Sequence, residues 1–327
     1  PLWRPWRRDL EKRQSRSRQR KKIQKSEWED WLEPCRLCPR DCGSRRLSGG
    51  KGRCGVSALL KVSRAALHLW EEPCISGTEG SGTVFFSGCP LHCVYCQNRA
   101  ISDGRAGKEI SAERLGEIFL ELQGKGARNI NLVTPTHYIP QIREALDLAE
   151  EGGLELPVVF NCGGYEKPEA LKLLDGYVDI YLTDFKYMDS QTARRYSHAP
   201  DYPEKAKGAL EEMVRQCPEP EFDQAGLMKK GVIVRHLLLP GNVEQAKEVV
   251  RYVYGTYGSR VYISLMNQYT PFPELRETYP ELCRKVTKRE YNSLVDYAVD
   301  LGVEQGFIQE GETAGESFIP AFDYEGV

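Results

Sequence analysis

Beyond residue 80 the chain alternates short apolar runs with longer stretches that are apolar on one side only. The runs at 83–87, 129–134, 157–161, 178–183, 231–238 and 260–266 have the length and Val/Ile content of strands buried on both faces. Amphipathic stretches lie between them at 111–123, 139–151, 166–175, 203–216 and 243–254, and another at 287–301 follows the last run after a long connection. Ser111 is placed to cap the first helix through its hydroxyl. Gly152-Gly153 is placed to stop the second. Six strand–helix units predict a parallel α/β sheet, because right-handed crossovers return each strand beside its predecessor. Closure stays open at this point, between a partial (β/α)6 barrel and a doubly wound open sheet.

In βα folds chemistry gathers at the carboxyl ends of the strands. Six polar segments occupy those ends here. Gly88–Asn98 follows the first run, Thr134-Pro135-Thr136-His137-Tyr138 the second, and Asn161-Cys162-Gly163-Gly164-Tyr165 the third. Asp184-Phe185-Lys186 follows the fourth, Arg235 and His236 close the fifth before Pro240-Gly241-Asn242, and Met266-Asn267-Gln268-Tyr269 ends the sixth. Polar residues at every end point to one shared pocket.

The first of these segments is the most specific. Cys89, Cys93 and Cys96 are spaced C-x3-C-x2-C, with Tyr95 just before the third and Asn98 two residues after it. Electron-transfer clusters are held by four cysteines. Three thiolates on one loop would hold three irons of a [4Fe–4S] cluster and leave the fourth open, as catalytic metal sites keep a position open. A zinc knuckle or three unrelated thiols are the bland readings. A second group, Cys35, Cys38, Cys42 and Cys54, runs C-x2-C-x3-C-x11-C, which fits one structural zinc or a second, fully ligated cluster. Cys74 could replace one of its members, Cys162 sits at a strand end as a reactive or merely packed thiol, and Cys217 and Cys283 read as ordinary small residues.

Composition narrows the setting. Eleven cysteines clustered toward the front of 327 residues fit metal ligation in a reducing compartment better than disulfides. No run has the ~18 apolar residues of a membrane span and no secretory signal is evident, so the expected place is the cytoplasm. The net charge of -2 hides an asymmetry: residues 1–25 hold eleven Lys or Arg against two Asp or Glu, net +9, and the rest holds 34 against 45, net -11. Such a block is a solvated tail or a helix against an acidic partner. Arg13, Arg16 and Arg20 can share one face, and Trp3, Trp6, Trp28 and Trp31 could dock it. Nucleic-acid binding is a weaker alternative, since no recognition motif accompanies the charge. The expected division is a basic extension over 1–30, a cysteine-rich metal-binding segment over 31–75, and the strand–helix body over 76–327.

The cysteine spacing with its preceding aromatic resembles the radical S-adenosylmethionine (radical SAM) superfamily. Cys35–Cys42, Ile75–Gly82, the cysteine loop, Thr134–Tyr138, Asn161–Gly164, Asp184–Lys186 and Arg235–Gly241, in this order, resemble the PflX-type relatives of pyruvate formate-lyase activating enzyme over roughly residues 33–310. The resemblance implies the partial (β/α)6 barrel, a [4Fe–4S] cluster on Cys89, Cys93 and Cys96, and reductive cleavage of SAM. The resulting 5′-deoxyadenosyl radical would abstract hydrogen from a substrate, a glycine of a partner protein in the activating enzymes. It also implies an electron donor such as flavodoxin or ferredoxin. Tyr95, Asn98, Thr134, Thr136, His137, Asn161, Asp184, Lys186, Arg235, Asn267 and Gln268 stand as its cofactor-binding residues. Activating enzymes carry a glycine-rich motif with a glutamate after the second strand, and this chain has Thr134–Tyr138 instead. Structural alternatives stand beside these roles: an ion pair for Asp184 and Lys186, a buried charge for Arg235, core packing for His137 and His236. Other functional alternatives are radical modification of a peptide or RNA, and a metal-binding adaptor without catalysis.

Overall fold

The computed structural model describes residues 29–309 and 320–327. Residues 1–28 of the basic extension, with Trp3, Trp6 and Trp28, lie outside the described residues. Ten strands form one sheet: β1 Leu60–His68, β2 Ser81–Phe86, β3 Lys108–Ile110, β4 Ile130–Val133, β5 Val158–Cys162, β6 Ile180–Asp184, β7 Glu221–Phe222, β8 Met228–Leu237, β9 Tyr262–Met266 and β10 Gly306–Ile308. Its order is β10-β9-β8-β6-β5-β4-β2-β1-β3, with β7 paired to β8. Every pair from β2 to β10 along this path is parallel, while β1 runs antiparallel to β2 and β3.

The order β2-β4-β5-β6-β8-β9 never reverses. A doubly wound sheet reverses at its switch point, so that alternative is excluded. With right-handed crossovers, a sheet wound in one direction carries its helices on one face. Those helices are α1 Ala112–Gly124, α2 Ile139–Glu151, α3 Ser190–Ser197, α4 Tyr202–Gln216, α5 Val243–Tyr257 and α6 Lys288–Asp300. The Ser111 cap forms as the sequence predicts, its hydroxyl accepting from the Arg114 N–H at 3.2 Å, and α2 ends on Gly152. Residues 166–175 form one α-turn, Pro168–Leu171, and one 3-10 turn rather than a full helix.

Strand side chains alternate between faces. Phe160, Tyr181, Val232, Val234 and Ile263 pack with the helices in the main core. Val159, Ile180, Leu182 and Ile233 form a separate cluster on the other face with Cys74 and Ile75. Those two belong to a single helical turn, Pro73–Ser76, which follows β1 and seats against the concave side of the sheet. The same alternation puts Asn161, Asp184 and Arg235, two residues beyond Val159, Leu182 and Ile233, on that concave face.

Candidate functional site

The cysteine loop leaves β2 through Gly88, whose φ of +90 is open to glycine. A Cβ there would lie 2.6 Å from the Cys54 carbonyl oxygen. That close approach lets the front segment hold the loop. The Cys89 N–H donates to the Cys54 carbonyl at 3.2 Å, and His92 Nε2 meets the Arg53 carbonyl at 2.8 Å. Arg40 adds a four-way clamp, donating to the carbonyls of Pro90, Leu91, Ser197 and His198. The cysteine-rich segment thus braces the loop against the end of α3.

The three thiols of the loop share one environment. Burial and then the neighbouring Cys93 push the Cys89 thiol up to about 11. Burial, Cys89 and Cys93 push Cys96 up to about 12. The Lys186 ammonium opposes the shift at both thiols. Among the described residues no group of three or more His, Cys, Asp or Glu is gathered to hold a single ion. A cubane carries its thiolates at separate corners, so three cysteines around one loop suit it without converging on a point. Three thiols on one loop are the number of protein donors that a cluster with one open corner would need.

Lys186 joins this loop to the strand ends. Its ammonium pairs with Asp184, and Arg235 donates to Asp184 Oδ1 at 3.0 Å, to Asn161 Oδ1 at 2.6 Å and to Glu71 Oε2 at 3.3 Å. Asn131 and Asn161 both donate to Glu71 Oε1, at 3.0 and 3.3 Å. The charged side chains are at most 18 % exposed, so solvent screens them little. Burial raises the Asp184 carboxyl, but Lys186 and Arg235 outweigh it and hold the group below its ordinary value. Burial lowers the Lys186 ammonium, and Asp184, Cys93 and Tyr202 together more than reverse that. Sequence reasoning named Asn161, Asp184, Lys186 and Arg235 as separate strand-end candidates, and they form one network.

It missed the two glutamates that complete the network. Glu71 and Glu72 precede the Pro73–Ser76 turn and come from outside the strand–helix repeat. Burial raises both carboxyls above the ordinary range, with Arg235 opposing. Glu72 accepts from Ser264 and leaves Oε2 buried without a partner. A third carboxyl, Glu166, lies beyond Gly164, whose φ of +78 and close approach to the Asp184 carbonyl admit no Cβ. Thr136 donates to Glu166 Oε1 at 2.9 Å, Oε2 is buried and unpartnered, and burial pushes the group up to about 7. Two adjacent acids before Pro73 and a Glu shortly after a Gly-Gly pair mark these positions in the sequence, but nothing there shows their burial.

The remaining candidates fall around this centre. Tyr95 meets Tyr187 through their hydroxyls at 2.7 Å. Asn98 stands at the start of the turn Arg99–Ser102. Thr134 has a φ of +57, and its N–H donates to the Asn161 carbonyl at 2.8 Å. Gln268 takes a hydrogen bond from Gln97 of the cysteine loop on its carbonyl and one from Gln309 on its side chain. The Asn267 N–H donates to Gln309 at 2.9 Å. His137 turns its Nε2 to the Ser87 carbonyl at 2.8 Å, beneath the start of the cysteine loop, and burial brings it down to about 3. His236 is likewise buried on the Phe185 carbonyl at 2.7 Å. Of the front cysteines, Cys35, Cys38 and Cys54 are buried and Cys42 is exposed. Burial, then Cys54, Cys35 and Cys42 together, push Cys38 up to about 12.

Residues 83–253 match the Radical SAM superfamily. In sequence the chain is 27 % identical to "Uncharacterized protein MJ0674" of Methanocaldococcus jannaschii over 273 residues, 81 % of this chain and 74 % of that protein. Among solved structures it is similar to methylornithine synthase (PylB), with 14 % identity and a TM-score of 0.48 over 80 % of this chain and 71 % of that one. It is also similar to Streptococcus suis SuiB bound to the precursor peptide SuiA, with 15 % identity and a TM-score of 0.47 over 68 % of this chain. The chain spans about half the length of SuiB, 46 %.

Proposed function

Because the chain belongs to the radical SAM superfamily, a family that implies a [4Fe–4S] cluster and SAM, we propose that Cys89, Cys93 and Cys96 hold that cluster with one iron open to SAM. When bound, the cluster supplies the electron that splits the sulfonium into methionine and a 5′-deoxyadenosyl radical. The observation that carries this reading is the position of Lys186, which acts on the thiols of Cys89 and Cys96 and also pairs with Asp184. An ammonium there suits the carboxylate of a SAM molecule seated on the loop.

The residues around it have complementary tasks. Asp184 and Arg235 fix the Lys186 side chain. Thr136 and Glu166 offer oxygens to an ammonium, and Glu166 retains an unpartnered one. Gln268, tied to the loop by Gln97, and Asn267 supply amides for a sugar hydroxyl. Tyr95 and Leu91 are buried in the core against which the half-buried Cys89 and Cys93 pack.

That chemistry would let the protein take a hydrogen from a substrate, in the activating-enzyme version a glycine of a partner protein, with the electron supplied by a carrier such as flavodoxin or ferredoxin. Among the described residues no helix is long and apolar enough to cross a membrane. The cytoplasmic setting is proposed on the eleven cysteines, which suit a reducing compartment. The front cysteines form a second proposal: drawn together, they would take one zinc or an auxiliary cluster, and metal content lost in Cys38→Ala would support it.

The test is anaerobic reconstitution with iron and sulfide, reduction with dithionite, and addition of SAM. Methionine and 5′-deoxyadenosine should appear together. A reconstituted, reduced cluster that leaves SAM intact would contradict the proposal and favour an adaptor without catalysis.

A further inference from the structure

Outside the charged network, one chain of neutral groups ends on a cluster cysteine. The hydroxyls of Tyr95 and Tyr187 lie 2.7 Å apart, those of Tyr187 and Ser197 2.7 Å apart, and the Ser197 hydroxyl is 2.9 Å from Cys93 Sγ. All three hydroxyl-bearing residues are at most 6 % exposed. Ser197 is the last residue of α3, and its carbonyl is held by Arg40 at 3.0 Å. The Val94 N–H, inside the cysteine loop, donates to the Tyr196 carbonyl at 2.9 Å. Position and spacing are therefore fixed from both sides.

The chemistry of the sulfur sets the direction of this chain. A thiolate on iron has no hydrogen, so at that contact the Ser197 hydroxyl must donate. Ser197 has one hydrogen to give, so it accepts from Tyr187, which in turn accepts from Tyr95. Three O–H groups then point the same way, and each polarises the next toward the sulfur.

We infer that Ser197, backed by Tyr187 and Tyr95, is a positioning and tuning residue that donates to the Cys93 thiolate and raises the reduction potential of the cluster. The inference rests on the cluster assignment proposed above. Reduction adds one electron to the cluster and negative charge to its sulfurs. A donor on one of those sulfurs favours the reduced form, and such hydrogen bonds are among the levers that set cluster potentials. The charged set around Lys186 acts on the opposite partner, the molecule to be cleaved; the hydroxyl chain acts on the electron source.

The test is a redox titration of the reconstituted protein followed by electron paramagnetic resonance. Wild type, Ser197→Ala, Ser197→Thr and Tyr187→Phe are compared at equal iron content. Ser197→Ala should move the potential to more negative values, and Tyr187→Phe should move it the same way by less. Ser197→Thr, which keeps the hydroxyl, should return it toward wild type. With a weak protein donor Ser197→Ala should lose SAM cleavage that dithionite restores. An unchanged or more positive potential in both Ser197→Ala and Tyr187→Phe would overturn the inference. If Ser197→Ala does not assemble a cluster, Tyr187→Phe decides alone. A wild type that assembles no cluster would instead contradict the proposed function, so the two failures are separable.

Discussion

Two polar assemblies flank the cysteine loop, and they are built on opposite principles. On the concave face, Glu71, Asn161, Asp184, Lys186 and Arg235 form a charged web held by hydrogen bonds of 2.6 to 3.3 Å and the Lys186–Asp184 pair. Behind the loop, Tyr95, Tyr187 and Ser197 form a chain without formal charge. A buried ion pair contributes little net stability, yet breaking it by removing one partner is costly. Neutral hydroxyls risk far less on burial. The web therefore fixes where charged groups stand, and the chain can adjust a neighbour's energy at low risk to the fold.

Replacement of the hub should break that contrast most forcefully. Arg235→Leu leaves Glu71 and Asp184 buried without their guanidinium, and unfolding free energy should fall by about 3–5 kcal/mol. Urea titration of the metal-free protein measures it. A loss no larger than that of an exposed pair, below about 1 kcal/mol, would show that Glu71 and Asp184 do not depend on the guanidinium.

Glu166 gives the next largest effect, and its sign follows from its position. The carboxyl is raised from 4.5 to about 7 in the folded chain. Between those values the folded protein keeps a proton that the unfolded chain releases. Stability should therefore fall as pH climbs from about 4.5 to about 7, by on the order of 3 kcal/mol, and change no further above. Glu166→Gln should flatten that slope. Thermal unfolding at pH 5 and pH 8 would settle it, and equal slopes in both proteins would refute the assignment.

The smallest effect belongs to the neutral chain. Tyr187→Phe removes two buried hydrogen bonds and should cost about 1–2 kcal/mol. A loss as large as that of Arg235→Leu would erase the distinction between the two assemblies.

The sequence pattern predicted what repeats. Six parallel strands and most of their helices follow from apolar runs, and the end of each strand held the polar residues that meet at the centre. Non-repeating pieces escaped. The antiparallel β1 interleaves polar Ser63 and Arg64 among its apolar residues, and α3 is short and very polar. Glu71 and Glu72 were invisible because burial of adjacent acids depends on Arg235 reaching them from β8, far along the chain. The same holds for Ser197 and Cys93, which only the tertiary fold brings together. For His137 the sequence leaves cofactor binding and core packing open, and the structure turns its ring to the backbone at Ser87, under the cysteine loop.

The open iron corner is the claim on which the account turns, and labelled SAM reports on it directly. Reduced, reconstituted protein mixed with SAM carrying carbon-13 in its carboxylate can be examined by electron–nuclear double resonance. A strong coupling of that carbon to the cluster spin, lost in Cys93→Ala, is the predicted result. A well-formed cluster with no coupling to bound SAM would mean that its fourth corner is already filled, and the account would be wrong.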